Sequence, residues 1–300
     1  MTKLGNTDLD VYGLNLGGNV FGWTADEPQS FAVLDAYTAA GGNFVDTADL
    51  YGGGGGSEEI LGNWLAARGN RDDVVVATKV GMWDGRPGLS AKNIQAAAED
   101  SLRRLKTDHI DLYYAHRDDP DTPLEETLTA FDALVRAGKV RHLGASNYSA
   151  ERLADALSIS DKNGLARYAV LQPHYNLVER DYERDLAPLV EREGLVTLPF
   201  FALAKGFLTG KYRTKDHNVD SPRAARAESY LDGHGERVLA KLDEVAAAHG
   251  TSVAAVSLAW LRQQPTVAAP IASARTTEQL TDLIASVTLT LTPDEVASLL

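Results

Sequence analysis

Residues 74–106 read VVVATKVGMWDGRPGLSAKNIQAAAEDSLRRLK. The first eight are an almost unbroken apolar run rich in valine, the composition of a strand buried on both faces. After Ser90 the pattern changes. Ile94, Ala98, Leu102 and Leu105 recur three or four residues apart and make one apolar helix face, with Ser90 placed to cap the first turn. A strand apolar on both sides, followed by a helix apolar on one, is the repeating unit of a parallel sheet.

The same unit recurs on both sides of this stretch. "LNLGG" (14–18) and "NFVDTA" (43–48) precede helical segments upstream. "IDLYYAH" (110–116), "VRHLGAS" (140–146), "AVLQPHYN" (169–176), "LVTLPFF" (195–201) and "VAAPIAS" (267–273) do so downstream. Eight units in series predict an α/β fold of the closed (β/α)8, or TIM-barrel, type, as one domain over residues 1–300. Ser149 is placed as a further N-cap, and Gly138, Gly164 and Gly194 close helices where a left-handed residue is wanted. The opening "TKLGNTDLDV" (2–11) falls outside the alternation. With Gly5-Asn6 at its turn it reads as a β-hairpin able to plug the barrel's bottom. Residues 204–232 are the other exception: a long polar insertion, with extra helices after it, between strands seven and eight. That length reads as a lid or a disordered loop.

Composition narrows the function classes. A net charge of −13 argues against a nucleic-acid or anionic-membrane surface. The absence of cysteine excludes disulfides, thiolate nucleophiles and Cys-ligated metals, and suits a reducing cytoplasm. No secretory signal pattern opens the chain, and no apolar run approaches the roughly 18 residues of a membrane span. A soluble cytoplasmic protein is expected. With no H-E-x-x-H motif, no metal site is expected either.

In such barrels the active site lies where strands end and βα loops begin. The polar residues there are Asp46, Lys79, His116, Ser146, Asn147 and Gln172, with Tyr51 in the loop after the second strand. Singly, each has a structural explanation: a buried ion pair, a core histidine, a rim aromatic. Together they have a chemical one. A lysine ammonium lowers a nearby phenol's pKa from about 10, making Tyr51 a proton donor or acceptor near neutrality. Asp46 would hold Lys79 charged, and His116 would orient a carbonyl oxygen or share the proton. No G-x-S-x-G nucleophile accompanies the set. Proton delivery to a carbonyl oxygen is therefore expected, with hydride from a cofactor. The glycine run at 52–56 yields no G-x-G-x-x-G, and "GFLTGKY" (206–212) is one residue short of a P-loop. The glycines read as slack that turns the chain from Tyr51 into a helix capped by Ser57.

Across essentially its whole length the chain resembles the aldo-keto reductases. The resemblance is carried by "FVDTADLYG", "VVVATKVG", "IDLYYAHRDDP", "VRHLGASNYS", "LQPHYNLVER", "KGFLTGKY" and "PIASARTTEQL", in order. It implies reduction of aldehydes or ketones to alcohols, with Asp46, Tyr51, Lys79 and His116 as catalytic tetrad and Tyr51 as general acid. It implies NADPH, less often NADH, bound extended over the barrel mouth without a Rossmann fold. Ser146, Asn147 and Gln172 match the residues that hold the nicotinamide carboxamide. Phe200 takes the ring-stacking position, and Leu203, Lys205 and Gly206 match the loop over the pyrophosphate. Ser273, Arg275, Gln279 and Asp282 match the adenosine end, where an arginine favours a 2′-phosphate. Two departures stand out: "FFAL" (200–203) replaces Tyr-Ser-Pro-Leu, and Leu283 replaces an asparagine. They bear on the loop's route and on NADPH over NADH. Trp23, Trp83 and Arg117 are expected as walls of a pocket for apolar or aromatic carbonyl compounds. Two alternatives stand beside this reading. One is a cofactor-binding regulatory protein of the same fold, like reductase-like potassium-channel subunits. The other is a barrel glycosidase, which would need two carboxylates at strand ends.

Overall fold

The structure, a computed structural model, describes residues 1–214 and 224–300. Thr2–Lys3 (β1) and Asp10–Val11 (β2) pair antiparallel as the expected hairpin. Its connection is wider than a two-residue turn: Leu4 N donates to Leu9 O at 2.9 Å, with Gly5 left-handed at φ 56°. The parallel strands are Asn15–Gly17 (β3), Phe44–Asp46 (β4), Val75–Val80 (β5), Ile110–Ala115 (β6), Val140–Ser146 (β7), Tyr168–Gln172 (β8), Val196–Thr197 (β9) and Ile271–Ala272 (β10). They hydrogen-bond in the order β10-β3-β4-β5-β6-β7-β8-β9. The two ends of that order meet: Thr197 N donates to Thr266 O at 2.7 Å, Ala268 N to Thr197 O at 2.9 Å and Ile271 N to Pro199 O at 2.9 Å. The sheet is a (β/α)8 barrel.

Helices follow the strands in the predicted alternation. Glu27–Ala39 is α1, Tyr51–Gly54 α2, Gly56–Arg68 α3, Ala91–Leu105 α4, Leu124–Arg136 α5, Ala150–Asn163 α6 and Tyr182–Arg192 α7. Ala224–Glu228 is α8, His234–His249 α9, Val253–Arg262 α10, Thr277–Thr288 α11 and Pro293–Ser298 α12. Ser90 and Ser149 accept from the backbone N–H three residues on, as expected of N-caps. Ile94, Ala98, Leu102 and Leu105 are all buried. Gly138, Gly164 and Gly194 have φ of 72°, 62° and 68°. The insertion between the last two strands is more structured than a long loop. Ala204–Thr209 forms a 3-10 turn and α8 follows, while residues 215–223 of the expected lid lie outside the described residues. Among the described residues, no helix is long and apolar enough to cross a membrane.

The barrel interior sets up the site. Alternate residues of each strand face inward, and the lower inward positions are apolar: Phe44, Val75, Ala77, Leu112, Val170, Leu198 and Ala269 pack together. Leu4, Leu9 and Val11 of the hairpin join that cluster, so the hairpin does plug the bottom. One layer further up, Lys79 pairs in register with Tyr114, and Tyr114 with Gly144. A Cβ on Gly144 would lie 2.3 Å from the Tyr114 ring. The missing side chain on β7 is what lets the Tyr114 ring lie across the barrel. Gly144→Ala is expected to overpack this layer and lower stability by about 1–3 kcal/mol, read as a lower urea midpoint with an unchanged slope.

Candidate active site

Above the apolar layers, inward positions on five neighbouring strands turn polar: Asp46 on β4, Lys79 on β5, Tyr114 on β6, Ser146 on β7 and Gln172 on β8. Asp46 is aligned with Ala77, so Lys79 sits one inward step higher on the next strand. Its Nζ donates to Asp46 Oδ2 at 2.5 Å and to Thr47 O at 2.6 Å. The lysine side chain is fully buried. Burial pulls its ammonium downward, but the Asp46 carboxylate, with the Tyr51 hydroxyl beside it, outweighs that and holds Lys79 above its ordinary pKa. The ammonium lies 5.1 Å from the Tyr51 ring centroid and 5.9 Å from that of Tyr114. His116 stands edge-on to Tyr51, with ring centroids 6.0 Å apart and an interplanar angle of 85°. Burial, reinforced by Lys79 and Arg117, pushes the His116 imidazole well below its ordinary pKa, so it is neutral. Its Nδ1 has no hydrogen-bond partner among the described residues. The four residues of the expected tetrad are thus brought together.

The residues expected around nicotinamide tie into the same cluster. Gln172 Nε2 donates to Asp46 Oδ1 at 2.9 Å, and Ser146 Oγ donates to Gln172 O at 2.9 Å. Asn147, left-handed at φ 55°, donates from Nδ2 to His116 O at 2.8 Å. Phe200 stacks on His174 at 5.3 Å and 20°, and Phe201 meets both rings edge-on. Phe201, Ala204 and Lys205 are left-handed at φ 50°, 47° and 58°, backbone positions that cost L-residues energy. Lys205 Nζ donates to Tyr230 OH at 3.0 Å, and Tyr230 OH donates to Glu179 Oε1 at 2.9 Å. Leu203 and Gly206 sit in the same turn. Across the seam, Ser273 Oγ donates to Asn19 Oδ1 at 2.6 Å. Gln279 Oε1 accepts from Arg275 N at 2.9 Å at the start of α11. Arg275 makes no ion pair among the described residues, Asp282 is exposed, and Leu283 is buried in the core.

The glycine run is not slack. Gly52, Gly53, Gly54 and Gly55 are consecutively left-handed at φ 68°, 82°, 102° and 109°. A Cβ would lie 2.7 Å from Ser57 N at Gly52, 3.0 Å from the Trp83 ring at Gly54 and 2.4 Å from Arg104 at Gly55. Nor does Ser57 cap α3, whose N-cap is Gly55. Ser57 is buried; its Oγ donates to Gly18 O at 2.7 Å and lies 2.7 Å from Thr47 Oγ1. Trp83 is half-buried over the glycines, whereas Trp23 and Arg117 are exposed on the rim.

The aldo/keto reductase family profile matches residues 13–299 of this sequence, and the chain belongs to that family. It is 37% identical over 303 residues to the oxidoreductase YrpG of Bacillus subtilis, covering 97% of this chain and 91% of that one. It is 35% identical to the norsolorinic acid reductase stcV of Emericella nidulans, over 96% of this chain and 77% of that protein. An aryl-alcohol dehydrogenase [NADP(+)] of Phanerodontia chrysosporium is 33% identical, over 91% and 75% respectively. The chain is therefore an oxidoreductase of a family that acts on small carbonyl compounds.

Strand-end reading passed over Tyr114, His174 and Asp49. The first two were within its reach, being two residues from His116 and from Gln172 on the same inward face. Asp49 belongs to the other face. Its backbone N donates to Lys79 O at 3.2 Å, while the carboxyl group lies buried between sheet and helices, with no hydrogen-bond partner among the described residues. Burial, and then the charge of Glu58, raise its pKa from the ordinary 3.8 to about 7 against Arg104, Arg86 and Lys79. Glu58 itself is paired with Arg104 at 2.6 Å and accepts from Thr78 Oγ1 at 2.6 Å. A carboxyl whose folded pKa is raised keeps its proton while the unfolded chain loses it, so stability falls as pH climbs from about 4 through 7 and then levels. The full penalty is on the order of 4 kcal/mol. Asp49→Asn is expected to flatten this decline, narrowing the gap between urea stabilities at pH 5.5 and 8; parallel pH profiles would refute it.

Proposed function

We propose that this chain is an NADPH-preferring carbonyl reductase with Tyr51 as general acid. The observation that carries the reading is the buried Lys79–Asp46 pair, with its ammonium beside Tyr51 and the neutral His116 ring edge-on to the phenol. A phenol flanked by a fixed cation can release its proton to an oxygen gaining negative charge, because the phenolate left behind is stabilised by the ammonium. Asp46 and Thr47 O hold Lys79 in place and charged, so the positive charge is present before the reaction begins. His116, neutral and buried, orients the carbonyl oxygen by hydrogen bonding without competing for the Tyr51 proton.

The donor set fits a nicotinamide dinucleotide. Ser146, Asn147 and Gln172, at the ends of β7 and β8, offer the hydroxyl and amide groups a carboxamide needs. Phe200 offers an aromatic face, and Leu203, Lys205 and Gly206 form a tight turn on the next strand end. Ser273, Arg275, Gln279 and Asp282 follow at the N-terminal end of α11, where backbone N–H groups and an unpaired guanidinium suit a phosphate. When bound, the cofactor supplies the hydride for the carbonyl carbon. The name of the NADP(+)-dependent relative supports the phosphorylated form, and the aryl alcohol in that same name agrees with aromatic residues at this rim.

Tyr51→Phe is expected to lower turnover of aldehydes at least ~100-fold, while NADPH affinity, read by fluorescence titration, changes little. Turnover equal to wild type would remove the proton donor from the mechanism, and NADPH binding by wild type with no turnover of any aldehyde would favour a regulatory protein. Arg275→Ala is expected to raise KM for NADPH about tenfold or more with little change for NADH, because only the former has a 2′-phosphate to lose. Equal effects on both cofactors would overturn that assignment.

A further inference from the structure

The residue after His116 is a cation that acts on its neighbours through space: its charge disfavours protonation of His116 and of Asp119. Arg117 is exposed and makes no ion pair among the described residues, although Asp118, Asp119 and Asp121 follow within four positions. Two of these carboxylates are already engaged. Asp118 takes a two-pronged contact from Arg152 at 2.8 and 2.8 Å. Asp119 accepts from Leu89 N at 2.7 Å, Thr122 Oγ1 at 2.7 Å and Asp121 N at 3.2 Å. Two other exposed guanidinium groups of this acid-rich chain have forked carboxylate partners, Arg68 with Asp35 and Arg213 with Asp243. Arg117 instead lines a cavity of about 490 Å³, between the loops that follow β5 and β6, as the one cation among the described residues there, beside Asp118, Asp119 and Asp121, with Pro87 and Gly88 opposite. The cavity adjoins the strand end that carries His116, and the Arg117 charge is felt at that imidazole.

Resting on the reductase reading, we propose that Arg117 determines substrate specificity by pairing with a carboxylate on the carbonyl compound. A guanidinium offers two parallel N–H donors that match a carboxylate, and one left unpaired has no internal pair to break before it binds. The net charge of −13 repels anions from the molecule as a whole, so an anionic substrate needs a local cation at the mouth. Trp83 belongs to the loop after β5 whose Pro87 and Gly88 line the cavity, and its ring lies against Gly54 and 5.9 Å from the Arg86 guanidinium. The substrate class is carboxylate-bearing aldehydes and ketones, aromatic ones among them.

The test compares 4-carboxybenzaldehyde with its methyl ester, using NADPH and wild type, Arg117→Ala and Arg117→Lys. The ratio of kcat/KM, acid over ester, is expected to fall about tenfold or more in Arg117→Ala, through KM for the acid, and to recover in part in Arg117→Lys. In wild type the same ratio is expected to fall as salt rises, because the contact is exposed to solvent. A ratio that is the same in wild type and Arg117→Ala overturns the proposal and leaves the reductase reading standing. If wild type reduces neither aldehyde, the reductase reading fails instead. Calorimetric binding of 4-carboxybenzaldehyde then decides Arg117: a tenfold weaker affinity in Arg117→Ala supports it, and equal affinities overturn it.

Discussion

A fully buried ammonium is the constraint around which the top of this barrel is arranged. Taking Lys79 out of water costs several kcal/mol unless its charge is met, and removing one partner of such a pair costs more than the pair contributes. Here the charge is met from several directions: the Asp46 carboxylate, the Thr47 carbonyl and the faces of Tyr51 and Tyr114. These groups come from β4, from the segment that follows it, and from β6, and β4 and β6 are the two strands that flank the β5 of Lys79. Their register is therefore what the ammonium depends on. Gly144 belongs to the same constraint, since its lack of a side chain makes room for Tyr114.

The closed ring divides the mouth into two halves. The ends of β4, β5 and β6 supply carboxylate, phenol, ammonium and imidazole groups, and the ends of β7, β8, β9 and β10 supply hydroxyl, amide, aromatic and cationic groups in sequence order. The halves are joined by hydrogen bonds. Gln172 reaches back to Asp46, and Asn147 holds the His116 carbonyl. A group placed on one half is thus referred to the other through rigid strand ends, which is how a barrel fixes geometry more closely than its loops alone could. The left-handed residues Phe201, Ala204 and Lys205 show where the loop after β9 is held against its own preference, with the Lys205–Tyr230–Glu179 chain as its restraint.

Much of this was legible in the sequence because it follows short-range rules. Strand–helix alternation shows the barrel, polar residues at the strand ends pick out Asp46, Lys79, His116 and Gln172, and Ser90 and Ser149 stand where helices begin. The glycine run misled in an instructive way. Five glycines look like surplus freedom, yet four adopt left-handed backbone and three are crowded by Ser57, Trp83 or Arg104. Two of those crowding groups, Trp83 and Arg104, come from outside the run and its helix, so no local pattern reveals the crowding. Ser57 went astray for the same reason: its partners, Gly18 and Thr47, lie on other strand ends.

By itself the sequence determined the order of elements, the closed parallel sheet and the polar identity of the strand ends, because periodicity and chain order encode these directly. Only the tertiary structure decided which charges are buried and which stay free. Asp49 and Arg117 are both ionisable residues within two positions of a member of the proposed tetrad, and nothing in their local sequence separates them. The fold buries Asp49 between sheet and helices near Glu58, and leaves Arg117 at the cavity without an ion pair among the described residues while Arg152 takes Asp118. The physical reason is that desolvation and pairing depend on what other segments bring within a few ångströms, a property of packing rather than of sequence neighbours.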